Sequence, residues 1–124
     1  MLMRILIVDD EPGVLTVLQD FLEAEGHEVV AAASGEAGLA AFRERHSAFT
    51  VVITDLGMPN IDGSLVANTI KRESPATAVI LLTGWGHRIL TSGEALPNVD
   101  LVLSKPPSAS ALRAAFEKFC AATR

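Results

Sequence analysis

A chain of 124 residues that is 49% hydrophobic is long enough for one domain with a full core and too short for two. Its net charge of −5, the lack of any Lys or Arg run and an aromatic content of 5% without Tyr argue against a direct nucleic-acid interface. No apolar stretch reaches membrane-span length, the four apolar residues between Arg4 and Asp9 make no signal peptide, and a single Cys120 excludes an intrachain disulfide, so a cytoplasmic location is expected.

Strand and helix patterns then alternate along the whole chain. A first strand is predicted over Arg4 to Val8. A helix follows from Pro12 to Glu25, with Pro12 in its first turn and Val14, Leu15, Val17, Leu18, Phe21 and Leu22 as its apolar stripe; Gly26 is placed to end it. A short second strand covers His27 to Ala31. Ser34 caps a second helix, in which Leu39 and Phe42 face inward and Glu36 suits the positive end.

The third strand, Phe49 to Thr54, leads into a turn-rich loop, Leu56 to Gly63. A helix from Ser64 to Glu73 presents Leu65, Val66 and Ile70 on one face and is stopped by Ser74-Pro75. A fourth strand, Ala78 to Leu82, ends at Thr83-Gly84. From Trp85 to Asn98 apolar residues are few and Gly93 and Pro97 interrupt, so any helix there is short or mobile. The fifth strand, Leu101 to Leu103, ends at Ser104-Lys105. The last helix, Ser108 to Ala121, carries Leu112, Phe116 and Phe119 at i, i+4 and i+7, and Cys120 reads as a small apolar residue on it.

Alternating strands and helices predict an α/β fold: a parallel sheet covered by helices on both faces, joined by right-handed crossovers. The flavodoxin-like order 2-1-3-4-5 places the first and third strands side by side at the point where strand order reverses, beyond whose carboxyl ends ligands bind. A single domain over residues 1–124 is expected.

Chemistry collects at those strand ends. The first strand stops at Asp9-Asp10, the third at Asp55, the fourth at Thr83 and the fifth at Lys105. Converging carboxylates repel one another unless a cation or proton intervenes, and an all-oxygen cluster suits Mg²⁺. Acids to hold the ion, one acid free to attack, and a hydroxyl and an ammonium for phosphate oxygens make a phosphoryl-transfer set.

Each residue also has a plainer reading. Asp10 before Glu11-Pro12 resembles a helix cap, Thr83 a strand-end hydroxyl bonding its own turn, and Lys105 a solvated amine. Pro59 and Gly63 are assigned to turn geometry. Asn60 reads as a loop polar group, and Asp62 as one that favours the start of the third helix. His27, His46 and His87 have no metal spacing and read as surface residues.

Four strings, Ile7-Val8-Asp9-Asp10-Glu11-Pro12, Thr54-Asp55-Leu56-Gly57-Met58-Pro59 through Asp62-Gly63, Leu81-Leu82-Thr83-Gly84 and Leu103-Ser104-Lys105-Pro106, together resemble the receiver domains of bacterial two-component response regulators, in that family's order and over essentially the whole chain. The resemblance implies that Asp55 is the phosphoacceptor. It implies that Asp9, Asp10 and Asp55 hold Mg²⁺ with the backbone carbonyl of Gly57, and that Thr83 and Lys105 bind phosphate oxygens. It also implies a cis Lys105-Pro106 bond.

The implied partners are a histidine kinase or a histidine phosphotransfer protein. A downstream effector or fused output domain and a phosphorylation-dependent homodimer are further options; direct nucleic-acid and membrane binding are not expected. Val102 departs from the family, which often has Tyr or Phe three residues before the lysine, so an aromatic toggle cannot serve as the output route. Trp85, two residues after Thr83, has two readings: a residue that shields or reports on the phosphate, or a partly exposed loop aromatic.

Three other functions compete. A phosphohydrolase with an Asp nucleophile would place a second acid two residues on, where Gly57 stands. A flavodoxin-like cofactor binder would need hydroxyls and glycines where Asp9-Asp10-Glu11 would repel phosphate. A degenerate receiver acting as a docking module would not need the full set of acids, hydroxyl and lysine.

Overall fold

Apolar runs of four to six residues, buried on both faces, form the centre of the molecule. A computed structural model describes residues 3–44, 49–84, 98–105 and 107–122, the last four as backbone only. Five strands, β1 (Arg4–Val8), β2 (Glu28–Ala32), β3 (Val51–Asp55), β4 (Ala78–Thr83) and β5 (Leu101–Ser104), pair in parallel in the order β2-β1-β3-β4-β5. Four helices are described: α1 (Pro12–Ala24), α2 (Gly35–Glu44), α3 (Gly63–Glu73) and α4 (Ala109–Ala122). The helix considered between β4 and β5, together with Trp85 and His87, falls on residues 85–97, outside the described set, as do His46 and Pro106.

Period-two alternation sorts each strand between two cores. Ile5, Ile7, Val51, Ile53, Ile80 and Leu82 face one side, where Leu18 and Leu22 of α1 and Leu112, Ala115 and Phe116 of α4 cover them. Leu6, Val8, Val52 and Val79 face the other, against Leu39 and Phe42 of α2 and Val66, Ala67 and Ile70 of α3. A parallel sheet needs this double cover, because its central strands have no polar face. Register runs Val8↔Thr54 from β1 to β3 and Thr83↔Ser104 from β4 to β5, so the strands end nearly level on one rim.

Caps and breakers stand where the residue types placed them. Ser34 Oγ accepts the Ala37 amide at 3.0 Å, and Asp62 Oδ1 accepts that of Leu65 at 3.0 Å. Gly26 adopts φ 94°, which stops α1 in the left-handed region. Asn60, read as an ordinary loop residue, is also left-handed at φ 67°, a conformation Asn tolerates better than most side chains.

Several expectations are corrected. Val17 is 69% exposed and Leu65 47% exposed, so neither belongs to its helix's buried stripe. Each sits one residue, about 100° of turn, from a buried neighbour, Leu18 or Val66, and points away from the sheet. Strand ends extend a residue further than expected at β2, β3, β4 and β5, which brings Asp55 and Thr83 into the ladder itself. His27 is half-buried instead of on the surface. Its Nδ1 accepts the Met3 amide at 3.2 Å, and its ring meets Phe116 edge-on at 5.5 Å. Burial and the N-terminal charge lower its pKa against the pull of Glu25.

Candidate functional site

The site forms where β1, β3, β4 and β5 stop. Asp9 follows β1 and is completely buried. Its Oδ1 accepts the Glu11 amide at 2.9 Å, and its own amide donates to the Ala32 carbonyl at 3.1 Å, so the carboxylate is fixed at the switch point. Asp55, the last residue of β3, is 5% exposed. Its successor Leu56 donates its amide to the Leu82 carbonyl at 2.9 Å, which ties the loop start to β4. Lys105 follows β5, and its amide reaches the Thr83 carbonyl at 3.2 Å; Thr83 itself is 2% exposed.

The Lys105 ammonium joins these ends. Nζ lies 3.1 Å from Asp9 Oδ2, 3.3 Å from Asp55 Oδ2 and 3.0 Å from Glu11 Oε1. Its side chain is only 15% exposed, so the reading of a solvated amine is overturned. Burial alone would lower the lysine's pKa, but the hydrogen bond to Glu11 and the nearby negative charges of Asp9 and Asp55 outweigh it and hold the ammonium charged. Asp55 moves the other way from an ordinary carboxylate. Burial and the Asp9 charge raise its pKa, and Lys105 offsets only part of that.

Asp9, Asp10, Glu11 and Asp55 each offer a carboxylate oxygen, all within 4.8 Å of one another. Asp10 is exposed at the mouth of this cluster. It is not a helix cap: Glu11 holds the N-cap position of α1, with no side-chain cap. Asp9 Oδ2 is buried beside Lys105 yet poorly aligned for a hydrogen bond, so it has no hydrogen-bond partner among the described residues. A buried charged oxygen in that state is costly, and a hard divalent cation would satisfy it. The residues present therefore fit Mg²⁺. Gly57 stands exposed in the loop after β3, and, its chain neighbours aside, no heavy atom of the described residues lies within 4 Å of the place a Cβ would take.

Gly63 proves to be more than a turn residue. A Cβ there would lie 2.3 Å from the Asp55 carbonyl oxygen and 2.8 Å from Leu56 Cα, both backbone atoms. The first turn of α3 can approach the end of β3 this closely only without a side chain. Gly63→Ala is expected to lower stability by about 1–3 kcal/mol, the cost of overpacking, measured as a shift in the denaturant midpoint.

Glu11 is the residue that motif reading did not assign. It sits inside the first acidic string, but its partner Lys105 is 94 positions away, and only the fold brings them together. The cis Lys105-Pro106 bond and the Trp85 shield lie outside the described residues.

A parallel five-stranded sheet with acids at the switch point and a lysine from the last strand defines a receiver-type α/β domain. Residues 5–117 match the model of the response regulator receiver domain, and the chain belongs to that family, the phosphorelay module of two-component signalling. The transcriptional regulatory protein ZraR of Escherichia coli is 37% identical over 120 residues, 96% of this chain but 26% of that protein. Among solved structures, a response regulator receiver domain protein of Clostridium thermocellum is 35% identical with a TM-score of 0.81, covering 94% of this chain and 93% of that one. The response regulator TrrA of Thermotoga maritima, solved in complex with Mg²⁺ and BeF, is 32% identical with a TM-score of 0.82 and covers 94% and 98%. The chain spans about a third of the curated regulators it matches first, at 32% and 33% of their length. No helix among the described residues is long and apolar enough to cross a membrane.

Proposed function

We propose that Asp55 accepts a phosphoryl group from a phosphohistidine on a partner kinase or phosphotransfer protein. The observation that carries this reading is the Lys105 ammonium held between buried Asp9 and Asp55, at 3.1 and 3.3 Å, beside an oxygen that lacks a hydrogen-bond partner among the described residues. Asp9, Asp10 and Asp55, with the Gly57 carbonyl, would hold Mg²⁺, which supplies charge neutralisation for the entering phosphoryl group.

The chain's own groups do the rest. An Asp55 oxygen forms the bond to phosphorus while the phosphorus–nitrogen bond of the donor breaks, and that electron pair stays on the imidazole nitrogen. Lys105 stabilises the charge on the transferring oxygens, and the Thr83 hydroxyl donates to one of them after transfer. Water attack on phosphorus later restores the carboxylate and releases inorganic phosphate, so the mark is temporary. With Gly57 where a phosphohydrolase would carry its second acid, the domain is a phosphoacceptor that assists its own turnover.

Incubation with Mg²⁺ and acetyl phosphate, followed by intact-protein mass measurement, tests the assignment. Wild type is expected to gain one phosphoryl mass and Asp55→Asn none; a gain that persists in the variant would remove Asp55 from the role. Mg²⁺ alone at a hundred times its Kd is expected to stabilise the fold by about 2.7 kcal/mol, roughly 10 °C in Tm. Asp10→Asn, at an exposed position, is expected to fold normally and lose most of that thermal shift.

A further inference from the structure

The Lys105 ammonium has three protons to donate, and three carboxylates already surround it. Glu11 accepts one of those protons in a hydrogen bond of 3.0 Å, whereas Asp9 Oδ2 is an ion-pair contact, so a phosphoryl oxygen that takes the Glu11 position on the ammonium must displace that carboxylate. Asp9 is completely buried and fastened through Oδ1 to the Glu11 amide, so losing the ammonium would strand a charge away from water. Asp55 is the acceptor itself and stays beside the incoming group. Glu11 differs from both: its side chain is 64% exposed, and water solvates its carboxylate as soon as the lysine leaves.

We infer that Glu11 is a positioning residue, a place-holder that occupies the phosphoryl-oxygen position on Lys105 while Asp55 is unmodified. The inference rests on the phosphoacceptor reading above. Glu11 holds one donor of the lysine in a hydrogen bond, and it is the cheapest partner to displace. It also adds a fourth negative charge beside the entry route of an anionic donor. Lys105 therefore exchanges one carboxylate for one phosphate oxygen, and the strength of the Glu11 contact sets how readily that exchange occurs.

The test compares wild type with Glu11→Gln in the full chain. In the metal-free protein, the variant is expected to shift the NMR resonances of the Lys105 side-chain Cε and Nζ, because its outermost partner has lost its charge. With saturating Mg²⁺, beryllofluoride, a phosphoryl mimic, is expected to bind the variant about two- to fivefold more tightly, the range of one exposed ion pair. Phosphorylation by acetyl phosphate is expected to quicken by a similar factor.

Unmoved Lys105 resonances, or beryllofluoride affinity equal to or below that of wild type, would overturn the inference. A tenfold loss of Mg²⁺ affinity would overturn it too, by making Glu11 a metal ligand. The phosphoacceptor reading fails separately, through a wild-type protein that gains no phosphoryl mass or an Asp55→Asn variant that does.

Discussion

Asp55→Asn is expected to yield a protein that is more stable than wild type at neutral pH and unable to take up a phosphoryl group. The two effects share a cause. Asp55 is charged in a place where charge is unfavourable: burial is the largest contribution and the Asp9 carboxylate adds to it, so its pKa stands above the ordinary 3.8. An acid with a raised folded-state pKa makes the folded protein hold a proton that the unfolded chain has already released. Stability therefore falls as pH rises from that ordinary value through the folded pKa, and the penalty is complete once pH lies above the folded pKa. Replacing the carboxylate by an amide of the same shape removes the penalty, for a gain of about 1–2 kcal/mol without Mg²⁺. Lys105 keeps Asp9 and Glu11 as partners, so the substitution leaves no unpaired ammonium. Urea unfolding at several pH values checks this: the gain should shrink toward zero as pH drops below the Asp range. A variant less stable than wild type at pH 7 would show that Asp55 holds the fold together instead of straining it.

The strand ends were legible in the sequence because β-branched runs terminate abruptly at Asp9, Asp55, Thr83 and Lys105, and a parallel sheet leaves such residues on one rim. The same periodicity could not give the width of a helix's buried stripe. Val17 and Leu65 are apolar, yet the sheet beneath α1 and α3 is covered before their faces reach it. Gly63 carried a turn signal that concealed its actual reason, the approach of α3 to the Asp55 backbone, since proximity across a loop leaves no mark in residue type. A lone histidine likewise carries no pattern, and half-buried His27 meets the Met3 amide and the Phe116 ring only in the folded chain. Glu11 stood in plain view within Asp9-Asp10-Glu11. What the string did not contain was that Asp10 is left exposed while the next residue reaches Lys105, a matter of where α1 begins and not of composition.

Lys105→Met is expected to have the other large effect, and to show how far the acidic pocket depends on one cation. Methionine fills much the same volume as the lysine stem, so packing is nearly conserved and the change isolates the charge. Without the ammonium, the Asp9 and Asp55 carboxylates, 0% and 7% exposed, face each other with no positive group between them. Removing one partner from a buried charge set costs about 3–5 kcal/mol when the set is sealed; an opening toward exposed Asp10 and Glu11 reduces this to about 1–3 kcal/mol. The sign of its pH dependence follows from the same proximity. Loss of the ammonium removes the pull that offsets the upward shift of Asp55, the folded state retains a proton that the unfolded chain has lost, and the deficit grows as pH rises above the ordinary carboxylate range and disappears well below it. Mg²⁺ replaces the missing charge, so its stabilising effect should be larger in the variant than in wild type. Phosphoryl uptake behaves differently, because a cation at the metal position does not reach every oxygen that the ammonium would hold. Its rate is expected to fall about 10²- to 10³-fold even with saturating Mg²⁺, the loss that follows removal of one preorganised donor. Thermal unfolding across pH with and without Mg²⁺, set beside the rate of mass gain from acetyl phosphate, separates the two roles. A variant whose stability and uptake both recover fully with Mg²⁺ would reduce Lys105 to a structural counter-ion, whereas recovered stability with slow uptake leaves it acting on the phosphoryl group itself.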